Sequence, residues 1–406
     1  MINLLADQAK ALTRHLPNKV GALFMSMGTG KTRVAVELVN AIDKLDIVVW
    51  VGPLRSISPL ENTTKSIKEE IEKWGGFNAK EVVYIGIETI QSSDRQYFEL
   101  YNKISKAWKG FIVVDESIKI KNAEAKRTKR LLEISKMVEY KLVLNGEPVT
   151  RDLLDLWAQF QFLDPRILNM DVAEFKNTFC KYTTITKRFG NYKDYSKEFI
   201  TGYENIDYLY SLIGEYVFEC DLKLNFSQLF ETAHYRLSDE EKERYELLKT
   251  KYLDNEKLLM MNNNIFLELT MKLQCEYCCS DGKFDVCKEW IKDESKTIIF
   301  CKFITSANEC RKRFPKATVL NYKTGSLSLN LQELTYTIYF DGTFDWGDVV
   351  QSQHRNYRTG VKEDCRYLNL MGNVGLEKLM FENNKKKLGI SEYLKTISNK
   401  QLKEIL

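Results

Sequence analysis

The stretch "MSMGTGKT", Met25 to Thr32, decides how this chain is read. A short apolar run precedes it (Val20, Ala22, Leu23, Phe24) and a run with helical spacing follows it (Val34, Ala35, Leu38, Val39). Strand, Gly-Thr-Gly-Lys-Thr and helix in that order make a turn that can hold a phosphate. Gly28 and Gly30 let backbone N–H groups turn inward around an anion, and the helix starting near Lys31 adds its positive end. In G-x-x-x-x-G-K-[ST] loops the lysine reaches the β- and γ-phosphates and the hydroxyl binds magnesium, which gives Lys31 and Thr32 their expected roles. Met25 takes the place of the first glycine of that pattern. Met27, Gly28, Thr29, Gly30, Lys31 and Thr32 are thus the candidate nucleotide-binding residues.

Around this loop the first ~165 residues alternate short β-branched strands with helical patterns, the signature of parallel βαβ units. The expected strands are 21–24, 47–51, 82–85, 111–114 and 141–144. From Arg166 to about Asp293 long amphipathic or aromatic-rich helical stretches take over, among them "SDEEKERYELLKTKYL", where Ser238 and Glu241 form a capping box. The βα alternation returns from Lys296, with strands expected at 297–300, 318–320 and 337–340. The pattern predicts an α/β lobe over 1–165, a helical insertion over 166–293 and a second α/β lobe with C-terminal helices over 294–406.

Composition sets outer bounds. With 44% hydrophobic and 29% charged residues the 406-residue chain is that of an ordinary globular protein with room for two or three domains. Its longest apolar runs are strand-length and its N-terminus has no basic-then-apolar segment, so neither a membrane span nor export is expected. The expected location is the cytoplasm, that of the host cell if the chain is viral. Nine cysteines then read as reduced thiols. The net charge of +4 is modest, so any nucleic-acid surface must be local. The cluster Cys275, Cys278, Cys279 and Cys287 contains one C-x-x-C, but the three histidines (His15, His234, His354) lie far from it in sequence, and buried thiols are the default reading over zinc. The aromatics between Tyr182 and Phe218 read as helical core before they read as a base-stacking surface.

Two further stretches carry chemistry. "FIVVDES" puts Asp115 and Glu116 at the exit of an apolar strand, Asp115 to hold magnesium and Glu116 to orient or deprotonate an attacking water. "QSQHRNYRTG" supplies Gln351, Arg355 and Arg358, the arginines three apart so that on a helix both face one anion. Arginines brought from a second lobe stabilise charge on a γ-phosphate and make hydrolysis depend on lobe closure.

The order of MGTGKT, VVDESIKIKN, LNGEPVTRDLLDLWAQFQFLDP, KTIIFCKF, Leu329 to Leu331 and QSQHRNYR resembles superfamily 2 helicase-like ATPases of the Swi/Snf type, in a compact form similar to those of bacteriophages. In the third of these stretches, Leu154, Leu156, Trp157, Phe162, Leu163, Asp164 and Pro165 hold family-like places. The resemblance implies two RecA-like lobes with ATP and Mg2+ in the cleft between them and nucleic acid lying across both. It implies an ATP hydrolase that moves along DNA, duplex favoured and without sequence preference. By position, Gln8 resembles the glutamine that reads adenine, and Gly146 lies in the motif that couples hydrolysis to lobe movement. Arg55 (with Pro53 and Leu54) and Thr89 (with Glu88) resemble backbone contacts of the first lobe; Lys302 (with Phe303), Ser326 and Asn330 resemble those of the second. Contacts of this kind make binding sequence-tolerant and salt-sensitive.

Departures from the family pattern bear on coupling and grip: Asn145 and Glu147 replace threonines, Ser326 and Ser328 replace glycines, and the second lobe is one βα unit short. Two other readings therefore stand beside the translocase, a true helicase on branched DNA or RNA, and an ATP-binding switch or scaffold with weak motion. The two lobes and the insertion use up the chain, so targeting would fall to partner proteins.

Overall fold

Apolar runs with no polar alternation, such as IVVWV and FIVV, need cover on both faces of a sheet. The computed structural model places them so. It describes residues 4–58, 66–146, 148, 153–189, 192–222, 224–253, 263–322, 331–358 and 360–385. The chain divides into two compact units, Met1–Leu222 and Lys223–Leu406.

The strands of the first unit are β1 (Val20–Met25), β2 (Leu45–Gly52), β3 (Ala79–Gly86), β4 (Gly110–Asp115), β5 (Tyr140–Asn145), β6 (Cys180–Phe189), β7 (Tyr192–Tyr203) and β8 (Val217–Cys220). Six of them form a parallel sheet in the order β3-β2-β4-β5-β1-β8. Val48, Val49, Val51, Ile112, Val113 and Val114 are fully buried, which is why β2 and β4 read as unbroken apolar runs. The register sets Phe24 opposite Asn145 and Leu144 opposite Asp115, so β1, β5 and β4 end together at one carboxyl edge. All five strands expected here form, each slightly longer than its apolar run.

The second unit holds β9 (Gln228–Tyr235), β10 (Thr297–Cys301), β11 (Thr318–Asn321), β12 (Tyr336–Tyr339) and β13 (Cys365–Gly372), all parallel, in the order β11-β10-β12-β13-β9. Beneath it lies a buried ionic cluster. Lys283 Nζ sits 3.2 Å from Asp341, 3.8 Å from Glu377 and 3.0 Å from Phe340 O, and Tyr235 donates to Glu377 at 2.8 Å. Burial alone would push the Lys283 ammonium down, but the two carboxylates hold its pKa above the ordinary value.

The stretch 166–293 is not a separate helical insertion. It carries helices, including Asp239–Leu253 with the expected reciprocal Ser238–Glu241 cap. It also gives β8 to the first sheet and β9 to the second, and residues 180–203 fold as the antiparallel hairpin β6-β7. Thr183, Thr184, Ile185 and Thr186 form a β-branched run that suits strand better than helix. No helix among the described residues is long and apolar enough to cross a membrane.

Candidate active site

The phosphate loop leaves β1 with Gly28 at φ 83° and Gly30 at φ 87°, both left-handed, and the helix Lys31–Asn40 starts at Gly30. Only glycine takes that conformation at low cost, so the two glycines open the turn ahead of the helix N-terminus. Thr29 Oγ1 donates to Ser26 O at 2.7 Å, and Lys31 Nζ donates to Met25 O at 2.7 Å and Ser26 O at 3.3 Å. Lys31 thus lies folded over the loop, with Thr32 at the second position of the helix.

Gln8 is buried in the same wall. Its Nε2 donates to Thr29 O at 2.9 Å and its Oε1 accepts from Leu5 N at 3.1 Å. Both ends of the amide are engaged within the protein, so in this structure Gln8 braces the loop. A methyl on Gly30 would fall 2.3 Å from Gln8 Nε2, so side chain and glycine fit only as a pair.

At the end of β4, Glu116 takes the left-handed conformation at φ 51°, rare for a residue with a side chain, and its N–H donates to Asp115 Oδ1 at 3.0 Å. Burial, with the Glu116 carboxylate beside it, pushes Asp115 up to about 7, and the Lys31 ammonium opposes that rise. A carboxylate so placed near a lysine and a helix N-terminus fits a divalent cation that takes few protein ligands and keeps water and phosphate oxygens. Gly146, just past β5, packs on the loop: a Cβ there would lie 3.5 Å from Met27 N. The edge of one sheet therefore collects Gln8, the loop from Met27 to Thr32, Asp115, Glu116 and Gly146.

Sequence reasoning missed what stands behind Glu116. Ser117 Oγ donates to Gln159 Oε1 at 2.6 Å, and Gln159 Nε2 donates to Pro148 O at 2.9 Å and Asp155 O at 2.8 Å. The signal was present, since Gln159 is a polar residue flanked by Leu156, Ala158, Phe160, Phe162 and Leu163 in the helix Leu154–Leu163, LDLWAQFQFL, and a buried amide there needs partners.

In the second unit, Gln351 lies on the helix Trp346–Gln353, which ends before Arg355 and Arg358. The expectation that both arginines share a helical face fails. The Asn356 side chain turns inward, donating to Leu334 O at 2.9 Å and Thr337 Oγ1 at 3.1 Å, while its Oδ1 accepts from Tyr357 N. Those bonds hold the chain in turns. Arg355 is only 6% exposed and Arg358 is half-buried.

Of the candidate nucleic-acid residues, Arg55 is exposed and Thr89 half-buried. Glu88 accepts from Leu54 N at 2.8 Å and pairs with Lys119 at 2.6 Å, tying the two expected contact segments of the first unit to each other and to the turn after β4. Lys302 Nζ donates to Gln274 Oε1 at 2.5 Å, and its N–H to Asp341 Oδ2 at 3.0 Å. Ser326, Asn330, Glu147 and Ser328 lie outside the described residues. Among the described residues no group of three or more His, Cys, Asp or Glu could hold a metal, the stretch Cys275–Cys287 included.

A phosphate-type loop and a strand-end Asp-Glu on one parallel sheet, followed by a second parallel-sheet unit, define a helicase-like ATP hydrolase. The chain belongs to the SNF2-related domain family, which matches residues 43–303, more than half of its length. Protein CHROMATIN REMODELING 5 of Arabidopsis thaliana is 29% identical over 180 residues, 37% of this chain and 10% of that protein. The SWI/SNF chromatin-remodeling complex subunit snf22 of Schizosaccharomyces pombe is 31% identical over 169 residues, again 37% of this chain and 10% of that protein. This chain thus matches about a tenth of either relative. An uncharacterized ATP-dependent helicase of Mycoplasma pneumoniae is 21% identical over 314 residues, 66% of this chain and 29% of that one. The solved Sulfolobus solfataricus SWI2/SNF2 ATPase core in complex with dsDNA aligns over 99% of this chain and 97% of its own at 16% identity and a TM-score of 0.41.

Proposed function

We propose that this chain is an ATP-driven motor on nucleic acid, a double-stranded DNA translocase of Swi/Snf type that remodels or strips bound protein. The observation that carries the reading is the single sheet edge at which the Lys31 loop, Asp115, Glu116 and Gly146 meet. Membership of the SNF2-related family, with chromatin-remodelling proteins among its relatives, supports duplex DNA as the track.

In this reading the loop amides and Lys31 bind the nucleotide phosphates, and Thr32 and Asp115 hold Mg2+. The bound cation supplies neutralising charge at the phosphates. Glu116, fixed by its left-handed backbone, orients the attacking water and takes its proton. Gln351, Arg355 and Arg358 are assigned as the donors and positive charge that stabilise the γ-phosphate. Arg55, Thr89, Lys302, Ser326 and Asn330 contact the nucleic-acid backbone.

The Mycoplasma relative, described as a helicase and matching 66% of this chain, favours strand separation as the second reading. The test is steady-state ATP hydrolysis alone, then with linear duplex DNA, single-stranded DNA and RNA, at low and moderate salt. Strong, salt-sensitive stimulation by duplex is the expected result. Stimulation by single strands or RNA alone would move the reading to a helicase, and bound ATP with no stimulation would make the chain a switch or scaffold.

A further inference from the structure

Glu116 is useful as a base only if the turn that carries it is rigid, and its backbone conformation is one that a residue with a side chain avoids. The next residue is held instead. Ser117 and Gln159 are both fully buried, and the hydroxyl of one donates to the amide oxygen of the other at 2.6 Å. The two N–H groups of the same amide go to Asp155 O, one turn back on its own helix, and to Pro148 O at 2.9 Å. Pro148 lies three residues beyond the end of β5, in the segment whose Gly146 packs on the phosphate loop. One side chain thus spans from the turn after β4 to the segment after β5. Its donors and acceptor are all used, as a buried amide in an apolar helix requires.

We propose that Gln159 is a positioning residue for hydrolysis: through Ser117 it fixes the Glu116 turn, and through Pro148 it registers that turn with the segment carrying Asn145 and Gly146. The inference rests on the reading of Glu116 as the residue that activates water. Three polar contacts from one buried amide make the tie directional, where a leucine of similar volume would give packing alone. Displacement of Pro148 pulls on the Glu116 turn through two hydrogen bonds in series, so a movement at one is felt at the other.

The test compares Gln159→Met, Ser117→Ala, Ser117→Thr and the double variant Ser117→Ala/Gln159→Met in the full chain. ATP turnover, nucleotide affinity by titration with a fluorescent ATP analogue, and thermal unfolding are all measured. We expect kcat to fall about tenfold in Gln159→Met and Ser117→Ala with KM and nucleotide affinity unchanged, since a lost buried tie displaces the base and not the phosphate loop. Ser117→Thr keeps the hydroxyl and keeps most of the rate, and the double variant is no slower than either single one. A merely structural role would lower the unfolding temperature and leave kcat alone, and that result overturns the proposal, as do additive losses in the double variant. Ser117→Ala, which adds no atom to the core around the fully buried Ser117, keeps the comparison informative if Gln159→Met fails to fold: an unchanged rate in Ser117→Ala also overturns it. Wild-type chain without ATP turnover, or Glu116→Gln turning over at the wild-type rate, overturns the reading of Glu116 itself and with it this inference. Variants equal to an active wild type overturn the tie alone.

Discussion

At the scale of single residues, the site works through conformations that few side chains tolerate. Glu116 and Gly30 are both left-handed, yet one must carry a carboxylate and the other must carry nothing. Glu116→Gln keeps the shape and removes the base, so nucleotide binding should persist while single-turnover hydrolysis falls by about 10²-fold or more. Undiminished hydrolysis would show that the base lies elsewhere. Gly30→Ala puts a methyl 2.3 Å from Gln8 Nε2 and adds the cost of φ 87°, so we expect weaker ATP binding together with a loss of about 1–2 kcal/mol of stability. Gln8→Ala in the same chain removes the collision and leaves the backbone cost, so it should recover only part of that loss. Full recovery, read by denaturant unfolding, would show that the backbone conformation costs nothing. Residues 25–32 and 112–117 were legible in the sequence because a phosphate loop and a strand-end Asp-Glu are local patterns. The Gln8 brace was not, since it joins residues 21 apart through a backbone carbonyl.

Among elements, six of the strands that formed as read (β1, β2, β4, β5, β10 and β12) are buried along nearly their whole length, and the two edge strands β3 and β11 carry short β-branched runs that also favour a strand. The misread ones are of other kinds. β13 (CRYLNLMG) and β9 (QLFETAHY) mix polar residues with apolar ones, and β6 and β7 carry an aromatic spacing that suits a helix as well as a strand, although Gly-Asn stands between them in the sequence. The helix Ala6–His15 meets β1 in a way no pattern foretells: the His15 ring fills the space where Gly21 lacks a side chain, 2.7 Å from its missing Cβ. Burial, with Arg14 adding to it, holds His15 down at about 4, against 6.5 for a free histidine. Between those values the unfolded chain binds a proton that the folded chain refuses. Stability is therefore present above pH 6.5 and is lost as pH falls towards 4, by about 3 kcal/mol in all. Urea unfolding at several pH values should show this slope in the wild type and a flatter one in His15→Phe; equal slopes would assign the acid sensitivity to other groups.

For the whole molecule, each unit has apolar clusters of its own: among the described residues, those around β1–β5 and β8 draw on residues up to Cys220, and those around β9–β13 on residues from Leu224 onward. Separate cores predict separate stabilities, and the buried Lys283 cluster gives a way to perturb one of them. Lys283→Met leaves Asp341 and Glu377 facing each other without their cation, in a place where neither can be hydrated. Breaking a buried pair from one side costs about 3–5 kcal/mol, far more than deleting an exposed one. The loss falls on more than packing, because Asp341 also receives the N–H of Lys302 and the hydroxyl of Ser306 at the start of the segment proposed to grip nucleic acid. Hydrogen exchange read peptide by peptide should then show β10, β12 and β13 opening while β1 to β5 keep their protection. Adding Glu377→Gln removes one of the two stranded charges and should restore part of the loss. If β1 to β5 open together with β10 to β13 in Lys283→Met, the two cores unfold as one cooperative body, and ATP binding in the first unit would be lost with them.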